Sequence, residues 1–240
     1  MNLIISDTYD EMSRIAASCL LGTLVQGYER RVNVSITGGS SPAKAYEYVQ
    51  QVIGGLSIPG VHYYNFDEIP MSGREGATLT SLRELFYKPC SIPESQIEKF
   101  DETNYLSYDQ KLEADGGLDL MLLGLGCDGH FCGNISGAFE DFGQGCYAVD
   151  SYFNEELTGL LADACGGMDN VPDRFMTFGP STVMKSRKII LIVNGEKKSE
   201  ILRKALEEPI TPKVPASILR IHPNLTVIVD KAAASGLRRS

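Results

Sequence analysis

The chain has no apolar stretch long enough to cross a bilayer: its longest runs, Leu118 to Leu125 and Ile189 to Val193, fall well short of the ~18 residues a membrane helix needs. Nor does the opening segment, Met-Asn-Leu-Ile-Ile-Ser-Asp, offer the basic region and long apolar core of a secretory signal, because it turns acidic at once. The expected compartment is the cytosol. A basic excess is missing too. A net charge of -9 argues against a phosphate-backbone partner, since nucleic-acid binders concentrate Lys and Arg to displace counterions. A small anionic ligand remains compatible if a few cations converge locally. The six cysteines (Cys19, Cys90, Cys127, Cys132, Cys146, Cys165) have no tight repeating spacing, so they read as reduced thiols rather than a disulfide framework. Gly-x-x-x-x-Gly-Lys-Ser/Thr is absent and no Gly-x-Gly-x-x-Gly opens the first helix. ATP and NAD are thereby disfavoured, and no cofactor is expected.

What is present is ordinary globular material: hydrophobic residues make up 43% and charged residues 22%, which sets aside disordered, collagen-like and coiled-coil readings. Met12, Ile15, Ala16, Cys19 and Leu20 recur at helical spacing over residues 8–24, with Asp7 as the expected N-cap. Val32, Val34 and Ile36 alternate as a strand, Gly38 to Pro42 turns, and Ala43, Tyr46, Val49 and Ile53 mark a helix. Val61 to Phe66 reads as a strand ending on Asp67-Glu68, followed by helices over roughly residues 79–87 and 102–114. Leu118 to Leu125, nearly all apolar, reads as a parallel strand buried on both faces. After a weakly patterned stretch over residues 131–170 come strands Phe175–Phe178 and Ile189–Val193, a helix over 196–207 and strand Leu225–Val229. This alternation predicts one α/β domain over residues 1–240, a doubly wound, mostly parallel, Rossmann-like sheet with helices on both faces. Residues 131–170 are expected to form a lid or active-site excursion.

Ligands in such sheets sit beyond the carboxyl ends of the strands, so residues just after each strand carry the chemistry. Gly38, Gly39, Ser40 and Ser41 end a strand and open a helix, where free N–H groups, hydroxyls and the helix dipole suit an anion; a plain tight turn is the alternative. Asp67 and Glu68 end the strand Val61 to Phe66, and a partly buried carboxylate there could act as a general base; a solvated loop pair is the alternative. Gly124 to His130 ends the most buried strand. His130, one of three histidines, can titrate near neutrality with Asp128 orienting its ring, against the alternative of an Asp-Gly turn with an incidental His. Cys127, His130 and Cys132 match no zinc spacing, so no metal is expected, and His62 and His222 read as structural. Lys198, beside Lys197 at the start of the helix after Ile189–Val193, opposes the helix dipole unless it meets an anion; Arg174 is a second candidate cation. For both, a solvated surface charge is the alternative.

Taken together, these segments resemble the family of glucosamine-6-phosphate deaminases (isomerases) and 6-phosphogluconolactonases. The resemblance runs through Gly38-Gly39-Ser40-Ser41-Pro42, Asn65-Phe66-Asp67-Glu68, Gly124-Leu125-Gly126-Cys127-Asp128-Gly129-His130 and Gly179 to Met184. It continues through Leu191 to Lys198 and Pro215-Ala216-Ser217-Ile218-Leu219 and so covers most of the chain. It implies that Asp67 moves a proton between C2 and C1 of an opened amino sugar, that His130 assists ring opening, and that the Gly/Ser turn with Lys198 holds the phosphate.

Two positions depart from the deaminase pattern. The deaminases follow the Asp-Gly-His turn with Asn-Glu, whose Glu completes a proton relay, whereas Asn134 is followed here by apolar Ile135. Residues 135–165 also contain neither Arg nor Lys to match the deaminase phosphate clamp, a place that Arg174 would fill as in the lactonases. Three functions follow: a hexosamine-6-phosphate deaminase/isomerase of carbohydrate metabolism first, a 6-phosphogluconolactonase-like hydrolase second, and a non-catalytic sugar-phosphate sensor third. The expected partner is a small-molecule sugar phosphate, with no nucleic acid or membrane and self-association left open. Another relay partner for His130 would come from Glu140, Asp141, Glu155 or Glu156.

Overall fold

In the computed structural model, which describes residues 1–139 and 141–238, the alternation read from the sequence builds a sheet of seven strands, all parallel. The chain runs β1 (Asn2–Ser6), α1 (Tyr9–Leu24), β2 (Val32–Ser35), α2 (Ser40–Ile53), β3 (Val61–Tyr64), β4 (Asp67–Glu68), α3 (Ala77–Leu82) and β5 (Ile97–Glu98). It continues through α4 (Tyr108–Ala114), β6 (Leu120–Gly124), β7 (Tyr147–Asp150), α5 (Glu155–Cys165), β8 (Arg174–Thr177) and α6 (Pro180–Met184). Then come β9 (Ile189–Val193), α7 (Ser199–Glu207) and β10 (Leu225–Asp230). The strand order is β1-β10-β9-β6-β2-β3-β5. No described helix is long and apolar enough to cross a membrane.

Alternation along the central strands explains the two layers. Leu120 and Leu122 of β6, with Ile190 and Ile192 of β9, pack against Met12, Ala16 and Leu20 of α1 and Tyr46 and Val49 of α2. Met121 and Leu123, with Leu191 and Val193, face Tyr108 and Leu112 of α4 and Leu202 and Ala205 of α7. A strand covered on both sides has no polar face to show, which is why β6 reads as an unbroken apolar run.

Five details differ from the sequence expectation. The cap of α1 is Thr8, not Asp7: the extended Thr8 accepts the Glu11 N–H at 3.1 Å, while the Glu11 carboxylate accepts the Asp7 N–H at 2.7 Å. The helix expected over 79–87 begins at Ala77 and widens into a π turn over Arg83–Tyr87, and that expected over 102–114 is α-helical only from Tyr108, after a 3₁₀ turn. The helix expected over 196–207 likewise opens with a 3₁₀ turn, Glu196–Lys198. Most consequential, the strand expected at Phe175–Phe178 is not in the parallel sheet. Both edges of β9 are taken by β6 and β10, so β8 has no slot there and forms instead the centre of a second, antiparallel sheet, β4-β8-β7. This small sheet and α5 enclose their own apolar cluster, including Ile69, Ile135, Leu157, Leu161 and Phe175.

The chain leaves β2 towards β3 and leaves β6 towards β9, in opposite directions across the sheet, although β2 and β6 are hydrogen-bonded neighbours. That divergence opens a crevice beyond their carboxyl ends.

Candidate active site

Two chain exits meet at the crevice. After β2 the backbone turns through Gly39 at φ +90°, a left-handed conformation that glycine adopts without strain, and delivers the N-terminus of α2. Ser40 is exposed there, and the Ser41 hydroxyl donates to Asn194 Oδ1 at 2.7 Å, joining this turn to the end of β9. The Lys198 ammonium donates to the Leu125 carbonyl at 2.6 Å, so the residues after β9 are tied to the end of β6 as well.

After β6 the turn closes on itself. Asp128 Oδ1 accepts both the backbone N–H of His130, at 3.1 Å, and its ring Nδ1, at 2.6 Å, with Gly129 between them at φ +89°. Burial pushes the Asp128 carboxyl up, but the His130 hydrogen bond and charge outweigh it and hold the group below its ordinary range. An ionised carboxylate only accepts, so Nδ1 carries the hydrogen and Nε2 is the ring nitrogen left to exchange a proton with a ligand. Gly126 makes room for the ring: a Cβ there would lie 2.2 Å from His130 Nδ1. Gly126→Ala is expected to displace the imidazole and lower kcat at least about 10-fold while the melting temperature moves little, which steady-state kinetics and calorimetry on the same preparation would check.

The third contribution comes from the small sheet. Asp67 pairs with Thr177 across β4 and β8 and is half-buried. Burial raises its carboxyl to about 6, with the Thr78 side chain and the charge of His130 pulling the other way. Its neighbour Glu68 is not a solvated loop acid but an internal anchor, 2% exposed. Its carboxyl accepts the N–H groups of Ile69 at 2.9 Å, Thr78 at 2.8 Å and Leu79 at 3.1 Å, which caps α3 and pins β4 to it. Burial pushes this carboxyl upward too, against those N–H groups and assisted by the charge of Asp67.

Asp67 and His130 face one cavity of about 460 Å³, which begins at Thr37, Gly38 and Gly39 and extends to Ile69, Ile135, Leu157, Leu161 and Phe175. Of the residues singled out in the sequence, Gly38, Gly39, Asp67 and His130 line it, while Asp128 stands behind His130. Ser40 and Ser41 continue the turn from the glycine end and Lys198 is held on the Leu125 carbonyl, and none of the three lines the cavity. Arg174 does not join them: it is exposed at the outer end of β8, and the strand pleat that turns Phe175 to the cavity turns Arg174 away. Among the described lining residues there is neither Lys nor Arg. His62 and His222 have other partners, Glu98 at 2.9 Å and the Ser186 carbonyl at 2.8 Å.

Ile135 is 5% exposed and packed in the apolar cluster of the small sheet. Among the other acids considered, Glu156 borders a crevice of about 20 Å³ shared with Asp128 and His130; Asp141 and Glu155 are exposed, and Glu140 lies outside the described residues. The sequence reading missed α5 altogether. Its signal was there: Asn154 caps the helix by accepting the Leu157 N–H at 2.8 Å, Glu155 and Glu156 follow, and Leu157 and Leu161 are one turn apart.

A near-neutral carboxylate and a carboxylate-oriented imidazole on one cavity, at the switch point of a parallel sheet and beside a Gly/Ser helix turn, define an acid–base α/β enzyme for a small anion. The chain belongs to the family of glucosamine-6-phosphate isomerases and 6-phosphogluconolactonases, whose model matches residues 7–140. It is 29% identical over 247 residues to a glucosamine-6-phosphate deaminase of Clostridium acetobutylicum, covering 99% of this chain and 100% of the relative. It is 30% identical over 234 residues to one of Rhodopirellula baltica, covering 92% and 91%. A solved structure of a monomeric glucosamine-6-phosphate deaminase superposes with a TM-score of 0.85 at 28% identity, over 98% of this chain and 100% of that one. A 6-phosphogluconolactonase from Trypanosoma cruzi shares the fold, with a TM-score of 0.75 at 20% identity over 99% and 97%.

Proposed function

We propose that the protein is a cytosolic deaminase/isomerase of a hexosamine 6-phosphate, yielding a ketose 6-phosphate and ammonia. The observation that carries this reading is Asp67, a half-buried carboxylate held near neutral pH on the same cavity as the Asp128-bound imidazole of His130. His130 Nε2 takes the proton of the sugar O1 hydroxyl and delivers it to ring O5 as the C1–O5 bond breaks and the ring opens. Asp67 then removes the C2 proton and returns it to C1, leaving a C2 imine that water hydrolyses to the ketose and ammonia. The phosphate lies at Gly38, Gly39, Ser40 and Ser41, over the α2 N-terminus, with the Lys198 charge nearby. Arg174 would join the clamp only if residues around β8 moved, and α5 with residues 131–170 acts as the lid.

Incubation with glucosamine 6-phosphate should release ammonia and fructose 6-phosphate in equal amounts; release of neither from any hexosamine 6-phosphate would remove the reading. Because Asp67 works as a base only when ionised, kcat/KM should climb through an acid limb centred at about pH 6 and level off above it. A limb near 4 would mean that a different carboxylate is titrating.

One observation favours a second reading. With apolar Ile135 where the deaminases have their relay acid, Asp128 is the one carboxylate hydrogen-bonded to His130 among the described residues, the arrangement a lactonase needs for a histidine that activates water. Accelerated opening of a 6-phosphogluconolactone, abolished by His130→Ala, would select it.

A further inference from the structure

The cavity is polar at one end and apolar at the other. Thr37, Gly38 and Gly39 form the polar end, Asp67 and His130 the middle, and beyond them the wall is Ile69, Ile135, Leu157, Leu160, Leu161 and Phe175. The order follows from the fold. Ile69 lies two residues beyond Asp67 along the chain, hence on the same face and roughly 7 Å further on. Phe175 precedes the Met176–Thr177 pair that faces Glu68 and Asp67, so it sits on the same far side. Two features keep this end open. Gly133 has no side chain where a Cβ would lie 2.4 Å from the Phe175 ring, and Leu160, on the first turns of α5, remains 52% exposed although it borders the cavity. Asp67 and His130 are the only ionisable acid and imidazole among the described lining residues, and nothing charged follows them into the apolar end.

With the phosphate on the Gly38–Ser41 turn and C1 and C2 at Asp67, as proposed above, the apolar residues are the part of the lining left for the C2 substituent. A bare amino group would leave the wall wet and unused. We infer that the substrate is a 6-phosphorylated aldosamine whose C2 nitrogen carries an apolar alkyl group, and that Ile135 forms part of the pocket for that group.

This inference rests on the deaminase reading and keeps its chemistry. With the ring open, the C2 proton is transferred to C1 through Asp67, so C1 becomes a primary alcohol carbon and C2 the carbon of an N-alkyl ketimine. Water adds to C2, the C2–N bond breaks with its electron pair staying on nitrogen, and the nitrogen takes up a proton and leaves. The sum is aldosamine plus water giving ketose 6-phosphate plus a primary alkylamine. The oxidation of C2 is balanced by the reduction of C1.

The test compares glucosamine 6-phosphate with its N-butyl derivative on the intact protein, measuring ketose 6-phosphate, ammonia or butylamine, and the Kd of each compound by calorimetry. The N-butyl compound is expected to show a kcat/KM at least about 10-fold higher, the scale at which an apolar pocket discriminates between substituents of different size, and to bind at least that much more tightly. Leu160→Gln, at a half-exposed position that folding tolerates, should shrink the ratio several-fold, and Ile135→Glu should reverse it. Efficient deamination of glucosamine 6-phosphate with equal or poorer handling of the N-butyl compound would overturn the inference and leave the deaminase reading standing. Tighter binding of the N-butyl compound without turnover of either sugar would retain the pocket and remove the reaction. Binding of neither compound would overturn the inference.

Discussion

Asp67→Asn should lower kcat by roughly 10²–10⁴-fold, the range that a positioned general base supplies, and at the same time make the protein more stable at pH 8. The two effects share one cause. In the folded chain the Asp67 carboxyl is raised to about 6 from its ordinary 3.8, mainly by burial. The native state therefore holds this proton more tightly than the unfolded chain does, and stability falls as pH rises between 3.8 and about 6, remaining lower above that window. Asparagine has the same shape and no charge to bury. The gain at pH 8 is on the order of 1–3 kcal/mol, a rise of several degrees in melting temperature, and it should fade as the pH is lowered to 4. Kinetics with thermal melts at both pH values would check this. A variant that kept kcat within 10-fold of the parent would remove Asp67 from the chemistry, and one that lost activity together with stability would mark it as a structural residue.

Glu68→Ala should behave in the opposite way. Its carboxyl is the buried acceptor for three backbone N–H groups, those of Ile69, Thr78 and Leu79, and for the Asn65 side-chain amide at 3.3 Å. Removing it strands those donors away from water, at a cost of about 3–5 kcal/mol in the upper range for one substitution. The melting temperature should fall by on the order of 10 °C. Glu68→Gln keeps one acceptor oxygen but turns the other position into a donor facing donors, so an intermediate loss is expected. Urea unfolding of the three proteins gives the ordering directly, and a loss below about 1 kcal/mol for Glu68→Ala would show that other groups satisfy the α3 N-terminus. Gly76 reports the same crowding: a Cβ there would lie 2.2 Å from the Glu68 carboxyl carbon.

The parallel sheet was legible because its inner strands are buried on both faces, so Ile189–Val193 and Leu118 to Leu125 announce themselves as apolar runs. The Asp128–His130 pair was legible because both partners lie within one turn, where sequence separation and spatial separation nearly coincide. The small sheet was not. β4 has two residues and its partner β8 lies more than a hundred positions away, so no local pattern marks Asp67-Glu68 as a strand. For the same reason nothing local separated Glu68 from a solvated loop acid: its partners at Thr78 and Leu79 are ten and eleven residues on. Arg174 was named for its charge and for a place that the lactonases fill with a cation, and only the pleat of β8 decides which way it faces. The Thr8 cap differed from the expected Asp7 by a single residue, because either side chain can accept a helix N–H and the choice depends on which backbone is extended.

Asp67 belongs to the antiparallel sheet and His130 to the exit of the parallel one, so the two groups that the proposed reaction uses stand on opposite sides of a seam. Two hydrogen bonds stitch that seam close to the site, from the Gly133 N–H to the Thr177 hydroxyl at 2.7 Å and from the Asn134 amide to the Phe178 carbonyl at 2.9 Å. Loosening either stitch changes the spacing between base and imidazole without touching either residue. The seam also divides what natural variation can alter. Substitutions in the small sheet and α5 can remodel the far end of the cavity and so change the substituent it accepts, while the imidazole and the glycine turn stay fixed on the larger sheet.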